Sequence, residues 1–177
     1  MDSYEIFRQA ENLVQHYGTR DAVRIAEEDG MWVHHDPLGN LLGMYTYQLR
    51  HRIILLNSSL DENYRQMVCG HEIGHDKRHR SLSGAKGFQE FTLFNMTGKT
   101  EYEANAFASH LLLDNDEVLA YAKDGYDVCQ IAQAMNTNIN LMLIKLQEMQ
   151  KLGSKLTVPM QPDGRFMAKL RCTEPAY

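Results

Sequence analysis

The sequence has no apolar run approaching the roughly 20 residues that a membrane helix needs, so no transmembrane segment is expected. Cysteine is scarce: Cys69, Cys129 and Cys172 are the only three, widely spaced and without a CxxC pair. An odd, scattered set of this kind reads as reduced thiols in a cytosolic protein. Positive charge is not in excess either. The formal net charge is −5 and the pI about 5.9, which argues against a surface built over its whole extent to hold nucleic acid, although a local basic patch would survive it. The opening stretch "MDSYEIFRQAENLVQHYG" carries Asp2 and Glu5 where a signal peptide would carry Lys or Arg, so the expected location is cytoplasmic. There is no internal repeat and no low-complexity tract.

What is present is ordinary in bulk. The 177 residues are 44% hydrophobic and 23% charged, which suits one globular domain with a real core, or one domain plus a small appendage. Apolar residues at spacings of three and four predict a helix over 3–17, ended by Gly18, and a short one over 20–30 that Thr19 or Asp21 can start. Three β-rich runs follow, "MWVHH", "LLGMYTYQL" and "HRIILLN". The first two are separated by the turn signal "DPLGN", and their close spacing predicts a small antiparallel sheet. A helix capped near Ser59 or Asp61 is expected over "DENYRQMVCGHEIGHDKRHR". Residues 81–98 read as irregular, and two more helices follow in "KTEYEANAFASHLLL" and "NDEVLAYAKDG". The texture then changes. "YDVCQIAQAMNTNINLMLIKLQEMQKLG" reads as two helices joined by "NTN", and the tail reads as a hairpin around "PDG". The fold class is α+β, with residues 1–124 as a core and 125–177 as a helical appendage with a C-terminal hairpin.

The chemistry concentrates in "CGHEIGHDKRH", residues 69–79. On a helix, residues four apart share a face about 6 Å apart along the axis, so His71 and His75 can reach one ion. His79 is eight residues from His71, about 12 Å along the axis, whereas a zinc–nitrogen bond is only about 2.0–2.1 Å. All three cannot converge on a regular helix. His79 therefore acts behind the ion, on substrate or at the surface. The pair lies in HExxH, a pattern with a mechanism: two imidazoles hold zinc while Glu72 takes a proton from the attacking water and later passes it to the leaving amine. The competing reading is two satisfied core histidines, since His71 and His75 share the apolar stripe with Met67, Val68 and Gly74. Gly74 on that stripe lets another backbone approach closely.

A third ligand must come from elsewhere. Glu101 and Glu103 sit two apart, about 200° around their helix, so both cannot face one ion. Glu101 borders the apolar stripe of Ala104, Phe107, Ala108 and Leu111, with Asn105 one turn on as a supporting amide. Glu103 lies off that stripe and reads as an acidic residue favouring the helix dipole, a reading that also competes for Glu101.

"HEIGH" followed by "EYEANAFASHLLL" resembles the ImmA/IrrE family of metallo-endopeptidases, which pair an HExxH helix with a later ExxAN-FA helix. The resemblance covers residues 30–115 well. It implies a zincin-like core, zinc held by His71, His75 and Glu101, and Glu72 as the catalytic base. It also implies a narrow substrate, a helix-turn-helix repressor encoded nearby on a mobile element or prophage. The family often has a proline just after "LLL"; here "LLLDND" supplies Asp114. The C-terminal helices resemble a helix-turn-helix in outline. However, the recognition-helix candidate, residues 139–150, is apolar with Lys145 as its only base, so direct nucleic-acid binding is not expected. The favoured reading of these helices is a pair that packs on the core, and residues 125–177 are also the candidate docking surface. "DKRHR" reads as a solvated helix end. His79 and Tyr102 are candidates for stabilising the oxyanion beside zinc, although a structural role is the favoured reading of each. The expected activity is that of a zinc-dependent endopeptidase; the rival readings are a metal-dependent sensor and a DNA-binding regulator.

Overall fold

The computed structural model describes residues 3–83, 87–90, 94 and 98–156. Helix α1 (Ser3–Tyr17) buries Ile6 and Ala10 and half-buries Leu13, Val14 and Tyr17, which is the stripe its sequence spacing predicts. Helix α2 (Ala22–Glu28) begins at Asp21, whose side chain accepts a hydrogen bond from the Arg24 backbone N–H. Strands β1 (Trp32–Asp36), β2 (Gly43–Gln48) and β3 (His51–Asn57) follow. Helix α3 (Glu62–His79) is capped by Asp61, which accepts from the Tyr64 N–H at 2.8 Å. Strand β4 (Phe88–Glu90) precedes helices α4 (Lys99–Leu112), α5 (Asn115–Lys123), α6 (Val128–Ala134) and α7 (Ile139–Lys151). The architecture is mixed α and β. No described helix is long and apolar enough to cross a membrane.

The sheet order is β1-β3-β2-β4. Strands β2 and β3 form an antiparallel hairpin through Leu49 and Arg50, whose φ values of 49° and 68° are those a two-residue hairpin turn requires. Strand β4 adds antiparallel to β2, with Glu90 opposite Gly43. Strand β1 runs parallel to β3, with Trp32 opposite Ile53. The sheet is therefore mixed, which corrects the expected antiparallel arrangement. "DPLGN" does reverse the chain, but β3 inserts between β1 and β2, so the strands it joins are not neighbours. The physical reason lies in composition. The unbroken apolar run of β3 suits a central strand, and β1, with exposed His34 and His35, suits an edge. Strand β4 is the second correction: it falls inside the stretch read as irregular, and three residues are too few to show alternation.

Helix α3 runs through the middle of the molecule and packs against α4. The close approach expected at Gly74 is present: a Cβ there would lie 2.9 Å from both the Cα and the carbonyl oxygen of Ala104. One core cluster joins α1, α2, the sheet, α3 and α4 around Ile6, Ile25, Tyr45, Ile54, Ile73 and Phe107. A second joins α3 and α4 to the C-terminal helices around Met67, Ala108, Ile131, Leu141, Met142 and Leu146. Helices α6 and α7 are the expected pair, and Lys145 on α7 is fully buried rather than presented to solvent. The expected C-terminal hairpin lies outside the described residues.

The basic end of α3 is not simply solvated, as its charge pattern suggested. Lys77 pairs with Asp29 at 2.7 Å, Arg78 with Glu5 at 3.4 Å and Glu103 at 3.5 Å, and Arg80 with Asp76 at 2.9 Å. The Lys77 and Arg78 pairs tie the helix end to α1, α4 and the C-cap of α2, while the Arg80–Asp76 pair is internal to the end of α3.

Candidate metal centre

One turn of α3 separates His71 from His75, and their Nε2 atoms stand 3.0 Å apart. Across the Gly74–Ala104 contact, α4 brings in Glu101, whose Oε2 lies 3.4 Å from His71 Nε2 and Oε1 3.6 Å from His75 Nε2. One donor atom from each of the three residues lies within 4.8 Å of the other two. Two imidazoles and a carboxylate at this spacing fit a divalent ion, and they are the donor types of hydrolytic zinc sites that keep one position open.

Neighbouring hydrogen bonds select the nitrogens that face the centre. His71 Nδ1 lies 2.9 Å from Asn105 Oδ1, an acceptor, so Nδ1 carries the proton and Nε2 is left for an ion. His75 is held by a relay. His79 Nε2 lies 3.2 Å from Glu103 Oε2, and His79 Nδ1 lies 3.2 Å from His75 Nδ1. With His79 donating to the carboxylate through Nε2, its Nδ1 accepts from His75 Nδ1–H, and His75 Nε2 faces Glu101.

Glu103 is thus a correction. Its sequence position predicts a dipole-favouring residue off the buried stripe, but it is buried with His79 and Arg78 as neighbours. Helix α4 is covered by α1 and α7 as well as α3, so its buried surface is wider than one stripe. Tyr102 takes the structural part of its two readings: its hydroxyl is engaged by Glu148 and Lys151 of α7, so it is not free to act on an oxyanion. His79 stands behind His75.

Glu90 was missed altogether. It is buried on β4, with Oε2 3.1 Å from His71 Nε2. No periodic signal marks so short a strand. Only its acidic character, amid a stretch read as a loop, was visible.

The electrostatics favour a cation. Burial disfavours charge on His71, yet hydrogen bonding to Glu101 and Glu90 outweighs it and raises its pKa to about 10. His75 moves the other way, to about 4: burial dominates, the Glu101 hydrogen bond opposes it, and His71 adds to the lowering. Glu72 is fully buried, and neither carboxylate oxygen has a hydrogen-bond partner among the described residues. Burial raises its pKa to about 8, His71 opposes the shift, and Glu90 and Glu101 reinforce it. Its side chain reaches toward β2, where a Cβ on Gly43 would come within 3.1 Å of Glu72 Oε1. A buried carboxyl with so raised a pKa, beside a cluster that attracts a cation, is chemically able to exchange a proton near neutral pH.

Residues 26–147 match the IrrE N-terminal-like domain of the M78 peptidases. The chain is 32% identical over 135 residues to "Uncharacterized immunity region protein 2" of Bacillus phage phi105, covering 73% of this chain and 82% of that protein. It is 23% identical over 154 residues to "Metallopeptidase ImmA" of Bacillus subtilis (strain 168), covering 85% of this chain and 89% of that protein.

Proposed function

The chain belongs to the ImmA/IrrE family of metallopeptidases, and from that premise we propose that it is a cytoplasmic zinc-dependent endopeptidase of the HExxH type. His71, His75 and Glu101 hold the zinc in a zincin-like core, and Glu72 is the base. The observation that carries this reading is the convergence of the three donors beside the unpartnered carboxyl of Glu72. Bound zinc would polarise the scissile carbonyl and lower the pKa of the attacking water. With the positive charge of a bound ion holding its carboxyl ionised, Glu72 takes a proton from that water on a carboxylate oxygen and delivers it to the leaving amine. Asn105 orients His71, and the His79–Glu103 pair orients His75, so each ring keeps Nε2 directed at the donor trio. Glu90 adds negative charge next to His71 Nε2 and strengthens the pull on a cation.

The substrate we propose is a helix-turn-helix repressor of a mobile element or prophage. The similarity to a protein named for a phage immunity region supports it. Residues 1–124 form the peptidase core and 125–177 the appendage that docks the repressor. Binding energy gained away from the zinc then places one bond for cleavage. The test is to incubate the purified protein with zinc against casein and against the helix-turn-helix repressor encoded nearest to it. Cleavage of the repressor at one site with casein left intact is expected. Rapid digestion of casein with the repressor intact would refute the narrow substrate, and loss of neither protein would refute the peptidase reading.

A further inference from the structure

Glu101 occupies the weakest part of its helix. The first turn of an α-helix has backbone N–H groups with no partner inside the helix, and a side chain at the N-cap normally satisfies one of them. The N-cap of α4 is Gly98, which makes no side-chain cap hydrogen bond. Glu101 is three residues on, the position from which a Glu side chain can turn back to the N-cap N–H. Here its carboxylate points instead toward His71 and His75. A turn without a cap is prone to fray, and fraying would carry Glu101 away from the histidines.

A grip from another helix holds this turn. The first α-helical hydrogen bond of α4 runs from the Tyr102 N–H to the Gly98 carbonyl at 3.0 Å. The Tyr102 hydroxyl donates to Glu148 Oε1 on α7. Lys151 donates to the same oxygen at 2.8 Å and lies 4.4 Å from the centre of the Tyr102 ring. Glu148 is fully buried, and its Oε2 has no hydrogen-bond partner among the described residues. A buried carboxylate so incompletely satisfied is unfavourable for stability alone, where an apolar side chain would serve. Successive helical residues point about 100° apart, so Tyr102 can face α7 while Glu101 faces α3.

Resting on the reading of Glu101 as a metal ligand, we propose that Glu148 is a positioning residue that fixes the first turn of α4 through Tyr102 and thereby sets the metal affinity of the centre. Helix α7 is then a control point: whatever displaces Glu148 from Tyr102 loosens the ion.

The test measures zinc affinity of the full chain by chelator competition, alongside hydrogen exchange of the first-turn amides of α4 and the melting temperature without metal. Glu148→Ala and Tyr102→Phe should each weaken zinc binding about tenfold, in the range of outer-shell changes at metal sites. The double variant should lose no more than either single one, because both break one link. Glu148→Gln, whose amide oxygen still accepts from Tyr102, should stay within about threefold of wild type. Gly98→Asp supplies the missing cap; its φ of −133° and ψ of 155° suit an N-cap, and the nearest atom to a new Cβ is 3.8 Å away. Added to Glu148→Ala, it should recover up to about twofold in affinity, the few tenths of a kcal/mol that separate Asp from Gly at an N-cap, and restore exchange protection, which a general loss of stability would not predict. Wild-type zinc affinity in Glu148→Ala, additive losses in the double variant, or no recovery with the new cap would overturn the inference. A Glu101→Ala variant that binds zinc as wild type does would instead overturn the ligand reading on which it rests.

Discussion

His79 stands directly behind His75, with the two Nδ1 atoms 3.2 Å apart. Four residues separate them on α3, so the contact follows from helix geometry. Its direction does not. Glu103, arriving from α4 at 3.2 Å from His79 Nε2, fixes which nitrogen of His79 donates and therefore which nitrogen of His75 is left for an ion. The third histidine of the helix is a spacer between a carboxylate and His75.

That relay makes Glu103 matter for metal binding. Glu103→Ala should weaken zinc affinity by about 10–100-fold, and Glu101→Ala, which removes a donor outright, by more. Zinc content after dialysis against a graded chelator series ranks the variants. Wild-type retention in Glu103→Ala would mean that His75 is oriented by something else.

Glu72→Gln should bind zinc and lose peptidase activity by about 10²–10⁴-fold, because the amide keeps the shape but cannot take the proton. Metal analysis and a cleavage assay on one preparation decide it. Undiminished cleavage removes Glu72 from the mechanism.

Gly74→Ala tests the helix crossing that assembles the site. In an open helix the change would add about 0.5–1 kcal/mol of stability. Here the new Cβ would lie 2.9 Å from the backbone of Ala104, and overpacking of that kind costs typically about 1–3 kcal/mol. The clash wins, so the urea midpoint should fall. Zinc affinity should fall with it, because α4 carries Glu101. A stabilised variant with normal zinc affinity would show that the helices are not so tightly apposed.

Asp29 sets an acid limit on stability. Burial pushes its pKa up, but hydrogen bonds from Lys77, Arg52 and Tyr17 outweigh that and hold it below the ordinary Asp value. A depressed carboxylate contributes stability above its unfolded pKa of about 3.9 and loses it as pH falls through the folded value. Asp29→Asn should therefore be less stable than wild type at pH 7, and the gap should close in acid. Urea midpoints across that range check it; a gap that does not change with pH would assign the loss to packing.

The convergence of His71 with His75, and the place of His79 outside their cluster with Glu101, were legible in the sequence because 3.6 residues per turn is a local rule that no distant contact alters. The phase of Glu101 beside an apolar stripe was legible for the same reason, as was the small residue at Gly74 where two helices meet. Strand directions were not. A turn signal such as "DPLGN" says that the chain reverses but not which strand lies alongside, and β1 paired with β3, reached only after another strand and a hairpin turn. Glu90 and Glu103 were hidden for a related reason. Glu90 enters through a three-residue strand set by its pairing with β2, and Glu103 is buried because His79 and Arg78 at the end of α3 meet it on a side of α4 that its own periodicity leaves polar. Residues that share a helix turn are placed by local backbone geometry. The groups that choose their tautomers and surround them with charge come from other parts of the chain, and only packing decides where those arrive.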